Sequence, residues 1–414
     1  MSTFKELFNH LLNTFRSSHN SNRVDIIFDL YLSISPKNNE RGRRANKNPI
    51  EFILSSEEQK LASDMSSFWS MSSNKMQVQQ LFITYVLNVL KDKRHFFLGG
   101  AYSCDITQCL KLVDGNYTKF DSLKCDHEEA DDRMMVHITH GYKSFQISNK
   151  RSGSIIVASP DTDVLVSLIY HYNNTWGYMN HDNKLWCLTK SGGSRQIYPI
   201  HELCSALKQP FTSVRPNLIN VLPALHALTG CDTTSKIGTK LPPTKLLNSF
   251  SLIENFGKLP LNADMILKAE KFLVHCLLKS SEKKICTFDE LRYEFYHNNL
   301  VDTNLTKLPC TSGSIVHHIK RAYYQCYLWL NAIHVSFPKL NPQDYGYSTD
   351  IDGMISPIIC NPCLITPEDF PIPCKCKKCA RENVCPCRIL KIMCCHYCKC
   401  NEQCTNPYAT LSNP

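Results

Sequence analysis

The sequence predicts an α/β fold in which a mostly parallel sheet is flanked by helices, and three stretches carry that prediction. Ile155-Ile156-Val157-Ala158 is an apolar run that reads as a buried strand stopping at Pro160. Residues 23 to 29, Arg-Val-Asp-Ile-Ile-Phe-Asp, read as another strand ending at Asp29. Between the two, helical periodicity occupies roughly 55 to 70 and 76 to 92, and returns after Asp126 in an apolar helix whose first turn is acidic. Strands alternating with helices are the pattern of an open α/β sheet, where ligands gather at the carboxyl ends of the strands.

With 414 residues, 43% hydrophobic and 20% charged, the chain has an ordinary globular composition and enough length for one large core plus an appendage. Met1 to Phe15 reads as a short helix without the apolar block of a signal peptide, and no membrane span is visible, so the expectation is an intracellular, reducing environment. The 22 cysteines are then thiols or metal ligands. Twelve of them fall between Cys360 and Cys404, and the other ten scatter without regular spacing, as buried thiols do. The net charge of +9 suits a polyanionic partner without requiring one.

Taken in order, the strand at 23–29 is followed by a basic stretch containing Lys37, Arg41, Arg43, Arg44 and Lys47. After the two helices, His95 to Leu98 forms a short strand. His127 to Met135 opens the acidic-capped helix, the organising strand follows, and Val164 to Tyr170 is helical. Residues 184 to 200 read as a hairpin around Ser191-Gly192-Gly193, then helix follows at about 201 to 207. Leu218 to Leu228 is an apolar helix stopped by Gly230. Helices at about 244–256, 262–279, 287–297 and 314–332 make a helical extension over 251–336. Between 337 and 373 periodicity disappears and the Pro and Gly content rises, as in a linker. A small, irregular cysteine-rich module closes the chain at 374–406.

Acidic residues stand at the ends of apolar elements: Asp29, Glu129 with Asp131, Asp161 with Asp163, and Asp232. Two readings fit the Asp161/Asp163 pair. Asp161 is a helix cap with Asp163 in the first turn, or both hold a divalent cation. If all six converged at one sheet edge, each like-charged pair would cost on the order of 3 kcal/mol, which metal ions would have to offset. Two hard cations so held are the arrangement for in-line attack on phosphodiesters. Lys37 and Arg44, seven residues apart, share a helix face and can clamp one phosphate, or belong to a solvated basic surface.

This constellation resembles the PIN-like nuclease superfamily, most nearly its flap endonuclease/XPG branch. There a strand ending in Phe-Asp, here Phe28-Asp29, precedes a Lys, Glu and Arg run, here Lys37, Glu40 and Arg44. Glu-Ala-Glu at a helix start corresponds to Glu129-Ala130-Asp131, Asp-x-Asp to Asp161-Thr162-Asp163, and Leu-x-Gly-x-Asp to Leu228-Thr229-Gly230-Cys231-Asp232. The resemblance implies a PIN-like core over 20–250 in which Asp29, Glu129, Asp131, Asp161, Asp163 and Asp232 hold Mg²⁺ or Mn²⁺. It implies that Lys37 and Arg44 reach the scissile phosphate and that the substrate is DNA more readily than RNA; nuclear residence is expected from that substrate and from the Arg43-Arg44 neighbourhood. Glu128 competes with Glu129 as partner of Asp131. Ser235 to Lys240 resembles the family's duplex-gripping turn, with one glycine. The wording around Ser159 and Leu222 is similar to transposon-associated animal proteins that join such a core to a cysteine-rich tail. The family's first carboxylate, on its first strand, has no counterpart in the 28 residues before Asp29, so a site short of one ligand, a fragment or a catalytically degenerate relative is also expected. Asp25 does not replace it, lying about 13 Å from Asp29 at roughly 3.3 Å per residue. An RNase H-type transposase is the remaining alternative, and the paired carboxylates count against it.

From Cys374 the spacing is C-x-C-x2-C-x5-C-x-C-x6-C-C-x2-C-x-C-x3-C, through Cys376, Cys379, Cys385, Cys387, Cys394, Cys395, Cys398, Cys400 and Cys404. So few hydrophobics cannot make a core, and structural zinc supplies on the order of 10 to 16 kcal/mol in such modules. The thiolates exceed one ion's need, which suggests bridging sulfurs. The repeated Cys-x-Cys halves resemble a Tesmin/TSO1-type CXC domain, which implies zinc and DNA contact through basic residues, here Lys375, Lys377, Lys378 and Arg381. Val384 stands where that family has Tyr. Seven Lys/Arg against two acids over 374–404 suit DNA, and a stabilising zinc knob or a protein-docking face is the alternative. Cys360 and Cys363 form a further CxxC. His137 and His140 read as helix-surface residues, and Tyr323, Tyr324, Tyr327 and Trp329 as a core stripe.

Overall fold

The computed structural model describes residues 2–16, 21–32, 34–38, 41, 50–100, 105–147, 152–179, 182–191, 194–208, 218–237, 249–258, 260–278, 285–298, 308–360, 374–377, 379, 384–391, 394, 398–400 and 404–407. They fall into two compact units, Met1–Ile359 and Cys360–Pro414.

In the first unit, α1 (Phe4–Arg16) buries Phe4, Phe8 and Leu12 at four-residue spacing, one helix face. β1 (Arg23–Ile27) pairs in parallel with β2 (His95–Gly99), and β2 continues antiparallel into the hairpin of β3 (Cys109–Val113) and β4 (Asn116–Lys119). Asp114 and Gly115 turn that hairpin with φ of 49° and 77°, the left-handed pair that a two-residue turn requires. Between β1 and β2 lie α2 (Met65–Ser70), capped by Asp64, and α3 (Ser72–Val89). Helices α1 and α3 cover one face of the sheet through Phe8, Phe82, Val86, Ile26, Phe96 and Leu98. Phe8 is fully buried against Phe4, Phe82 and Tyr85, so Phe8→Ala is expected to cost about 3–5 kcal/mol, read as a lowered denaturation midpoint.

Helix α4 (Ala130–Ile147) lies on the opposite face, where His137 Nδ1 meets Asp25 Oδ2 of β1 at 2.7 Å. A second sheet follows: β5 (Ser154–Ala158) parallel to β6 (Lys184–Ser191), and β6 antiparallel to β7 (Ser194–Pro199). Between β5 and β6 runs α5 (Thr162–His171), extended by a π turn over Tyr172–Trp176. Then come α6 (Ile200–Lys208) and α7 (Leu218–Thr229). Helices α8 (Ala263–Leu277), α9 (Phe288–Asn298) and α10 (Ser312–Asn331) share one core with α7, which joins Leu228 to Phe250, Phe272, Tyr323 and Trp329. The core therefore runs across residue 250, where the helical extension was expected to separate. Among the described residues, no helix is long and apolar enough to cross a membrane.

The fold is mixed α/β, and its sheets depart from expectation. Among the described residues there are, instead of one mostly parallel sheet, two mixed sheets and a two-stranded hairpin, and only β1–β2 and β5–β6 pair in parallel. Strand β5 was expected to be buried, but it is an edge strand and Ile156 is 68% exposed, because only its Val157 face is covered. The expected helix at 55–70 begins only at Met65. The preceding segment is held by side chains of α3, where Phe52 N–H donates to Asn74 and Leu54 N–H to Gln77, both at 2.9 Å. Of the helix expected at 244–256, residues 244–248 lie outside the described residues, and Phe250–Ile253 is a single 3₁₀ turn. The stretch expected as a linker carries a hairpin, β8 (Tyr347–Thr349) with β9 (Ile355–Pro357), and the first compact unit extends to Ile359.

Candidate metal centres

The carboxyl ends of β1 and β5 both meet the start of α4. Asp29, two residues past β1, accepts the Ala130 N–H through Oδ1 at 2.8 Å and so caps α4 from 101 residues away. Its neighbour Glu129 pairs with Lys37, Nζ to Oε1 at 2.5 Å. Glu128 is bound elsewhere, accepting from Ser35 Oγ and from the Arg41 guanidinium, each at 2.7 Å. Of the two glutamates, Glu129 is thus the one facing Lys37 and the acidic cluster.

After β5, Asp161 caps α5 by accepting the Asp163 N–H at 2.9 Å, so the helix-cap reading of Asp161 is realised. The Asp163 carboxylate meets Nε2 of His226 on α7 at 2.6 Å. Helix α7 ends at Gly230, whose φ is +119° and whose missing Cβ would lie 2.6 Å from the Lys236 Cα. That turn is tied by the Thr234 hydroxyl to the Ala227 carbonyl at 2.8 Å and by Thr233 Oγ1 to Gln325 of α10 at 2.7 Å, and Asp232 sits between these ties. Asp161, Asp163, His226, Gly230, Asp232 and Lys236 line one cleft of about 560 Å³.

Electrostatics show that the carboxylates sense one another. Burial pushes Asp131 up to about 8, with Glu129, Asp161, Asp132 and Asp29 adding repulsion. Asp132, also raised to about 8, owes this to burial and then to Glu129 and Asp163, against the pull of Lys37. Burial likewise raises Asp161, reinforced by Asp163 and Asp232. Lys37 loses hydration on burial, but Glu129 outweighs that loss, helped by Asp232 and Asp163, and its ammonium is held above the usual lysine range. Six predicted carboxylates and one predicted cation therefore converge. Away from them, burial alone would raise Asp25, but His137 and Arg23 bring it down to about 2.

An aspartate titrates at about 3.9 in an unfolded chain, so the folded protein holds the Asp131 proton more tightly. That contribution to stability is fully present below pH 4 and is lost as pH rises toward 8. Metal-free protein is expected to melt progressively lower across this window by calorimetry, and Asp131→Asn is expected to flatten the decline. Asp25 acts with the opposite sign, its contribution disappearing as pH falls from about 4 toward 2.

The structure does not bring every predicted group into the cluster. Arg44 of the phosphate clamp, Glu40 of the same run, Cys395 and Cys363, and Gly238 to Lys240 of the duplex-gripping turn lie outside the described residues. Among the described residues, the sets of three or more donor atoms mutually within 4.8 Å are all cysteine sets, so the carboxylates are spaced more widely than one dehydrated ion's shell. Mg²⁺ tolerates this, since it keeps several waters and is held through one or two carboxylates. Two cluster members were not expected from the sequence. Asp132 adjoins a predicted residue, whereas His226 stands in an apolar helix 63 residues from its partner, without a local signal.

In the second unit, Cys374, Cys379, Cys385, Cys387, Cys398 and Cys400 form a buried cluster, with Cys376, Cys394 and Cys404 packed against it. Zinc bonds of about 2.3 Å in a tetrahedron put sulfurs about 3.8 Å apart. Here Cys374 to Cys400 measures 3.9 Å, and Cys379 to Cys394 and Cys387 to Cys398 each measure 3.6 Å, so these thiols can hold a zinc ion. Among the described residues, three tetrads lie within the needed reach: Cys374, Cys379, Cys394 and Cys400; Cys374, Cys387, Cys394 and Cys398; and Cys374, Cys376, Cys379 and Cys385. Cys374 belongs to all three.

No family model, no curated protein and no solved structure matches the chain.

Proposed function

We propose that the protein is a Mg²⁺- or Mn²⁺-dependent nuclease of the PIN-like, flap-endonuclease kind, hydrolysing phosphodiester bonds in DNA in the nucleus, with a C-terminal Tesmin/TSO1-like zinc module that adds DNA contact. One observation carries the reading: Asp161, Asp163 and Asp232 line one cleft, Glu129 bonds to Lys37, and burial, with repulsion from these neighbours, raises Asp131 and Asp132 to about 8. Acids that outnumber the cations beside them are costly where they are buried, as at Asp131 and Asp132, and bound cations would turn that cost into affinity. When bound, divalent metal would lower the pKa of a water and stabilise the leaving oxygen. The chain's own part is to hold Asp29, Asp161 and Asp163 at helix starts and Lys37 against Glu129, where a phosphate oxygen could displace one partner of that ion pair.

A second reading, a DNA-binding or scaffolding protein on a degenerate nuclease core, is favoured by the wide spacing of the carboxylates. Incubating the full chain with branched and single-stranded DNA in Mn²⁺, beside an Asp161→Asn/Asp163→Asn variant, decides between them. Cleavage by the parent alone supports the nuclease. No cleavage by either, with binding retained, supports the scaffold.

A further inference from the structure

We infer that His226 is a positioning residue for the acid cleft: its Nε2–H holds Oδ1 of Asp163 and so leaves the carboxylate's second oxygen for a divalent cation. The inference rests on the metal-site reading above and assigns a part to a helix and a histidine that it does not use.

The geometry of the pair is specific. Nε2 lies 2.6 Å from Oδ1, and Asp163 is only 8% exposed. A carboxylate that ligates a cation only accepts, so in that state the hydrogen between the pair sits on Nε2. The imidazole cannot swing away, because it stacks on Trp329 with ring centroids 5.4 Å apart and planes 21° from parallel. Trp329 is 2% exposed, and its carbonyl accepts from His171 Nε2 at 2.8 Å, which anchors the stacking partner to the end of α5. The His318 ring of α10 reaches the Leu228 carbonyl at 2.9 Å, tying α10 to the helix that carries His226. Thus the imidazole carried by α7 is held between Asp163 of α5 and Trp329 of α10, and the stretch over 251–336 backs the ring without itself lining the cleft.

Groups that hydrogen-bond a metal ligand from behind restrict its rotation and set its basicity, and removing one typically costs roughly 10- to 100-fold in metal affinity. A purely structural His226 would clamp α5 to α7 and leave affinity alone. The two roles separate in variants. His226→Phe keeps the ring on Trp329 and removes the donor, and His226→Gln keeps a donor of similar reach. His226→Asn, too short to reach Asp163, replaces the Phe variant if that one fails to fold.

The test is Mn²⁺ titration of the zinc-loaded full chain, followed by electron paramagnetic resonance, with the Asp161→Asn/Asp163→Asn protein as baseline and DNA cleavage measured in parallel. The expected result is at least about tenfold weaker Mn²⁺ binding for His226→Phe and recovery to within about threefold for His226→Gln. Parent-like affinity in His226→Phe overturns the proposal, as does equal loss in both variants, or parent binding no greater than baseline. If the parent binds Mn²⁺ and His226→Phe weakens it but no DNA is cut, the nuclease reading fails while the positioning role stands. Cleavage by the parent with unchanged affinity in His226→Phe is the converse.

Discussion

The Asp161→Asn/Asp163→Asn variant is expected to lose metal-dependent cleavage by roughly a thousandfold or more while melting higher than the parent in metal-free buffer. Both effects come from one cause. An asparagine in place of Asp161 still caps a helix well, since its side-chain oxygen accepts the backbone N–H now bound by the aspartate. An asparagine in place of Asp163 still offers His226 an acceptor. The local fold is therefore kept, while two of the charges that raise Asp131 and Asp132 are removed. Relief of repulsion stabilises the folded protein, and the same charges would be missing from any cation shell. Paired cleavage and calorimetry check the result. A variant that melts lower than the parent would show that the carboxylates are held by contacts worth more than their repulsion.

Replacing Cys374 with serine is expected to empty the C-terminal module of zinc more completely than replacing any other of its described cysteines. Cys385 belongs to one of the three tetrads and Cys379 to two, whereas Cys374 belongs to all three. A sulfur common to several tetrads can bridge ions, and its loss opens every shell at once. Because metal binding is folding free energy in modules of this size, about 10 to 16 kcal/mol for a structural zinc, the variant should lose ordered structure over 374–406. Metal analysis of purified Cys374→Ser and Cys385→Ser proteins gives the comparison. Equal residual zinc in the two would rule out a shared sulfur.

The parts of the acid site that were legible in the sequence are those with a local signature. Asp29 directly follows an apolar run, and Asp161 and Asp232 follow one after a short turn, Ser159-Pro160 and Thr229-Gly230-Cys231 respectively, so their local context marked them as candidates. Glu128 and Glu129 were indistinguishable in sequence, because adjacent residues at a helix start point to different sides and only the positions of Lys37 and Arg41 separate them. His226 was not legible, since its partner lies far away in sequence and its neighbours spell an ordinary buried helix. The β3–β4 hairpin did carry a signal, Asp114-Gly115 between short runs, and reading it would have shown that the first sheet turns antiparallel after β2. The exposed side of β5 could not be foreseen. An Ile-Ile-Val run specifies a strand, but whether both faces are covered depends on elements distant in the chain.

Because Asp29 completes the first turn of α4 across 101 residues, the local start of that helix is a long-range event. Its opening amide finds this acceptor only when Asp29, at the end of β1, has been brought beside it, a contact of long sequence separation whose loop-closure cost a purely local cap would not carry. The cleft is thus also a gauge of the whole unit: any lesion that loosens β1 from β2 would fray α4 at its acidic end before the rest of the helix unwinds.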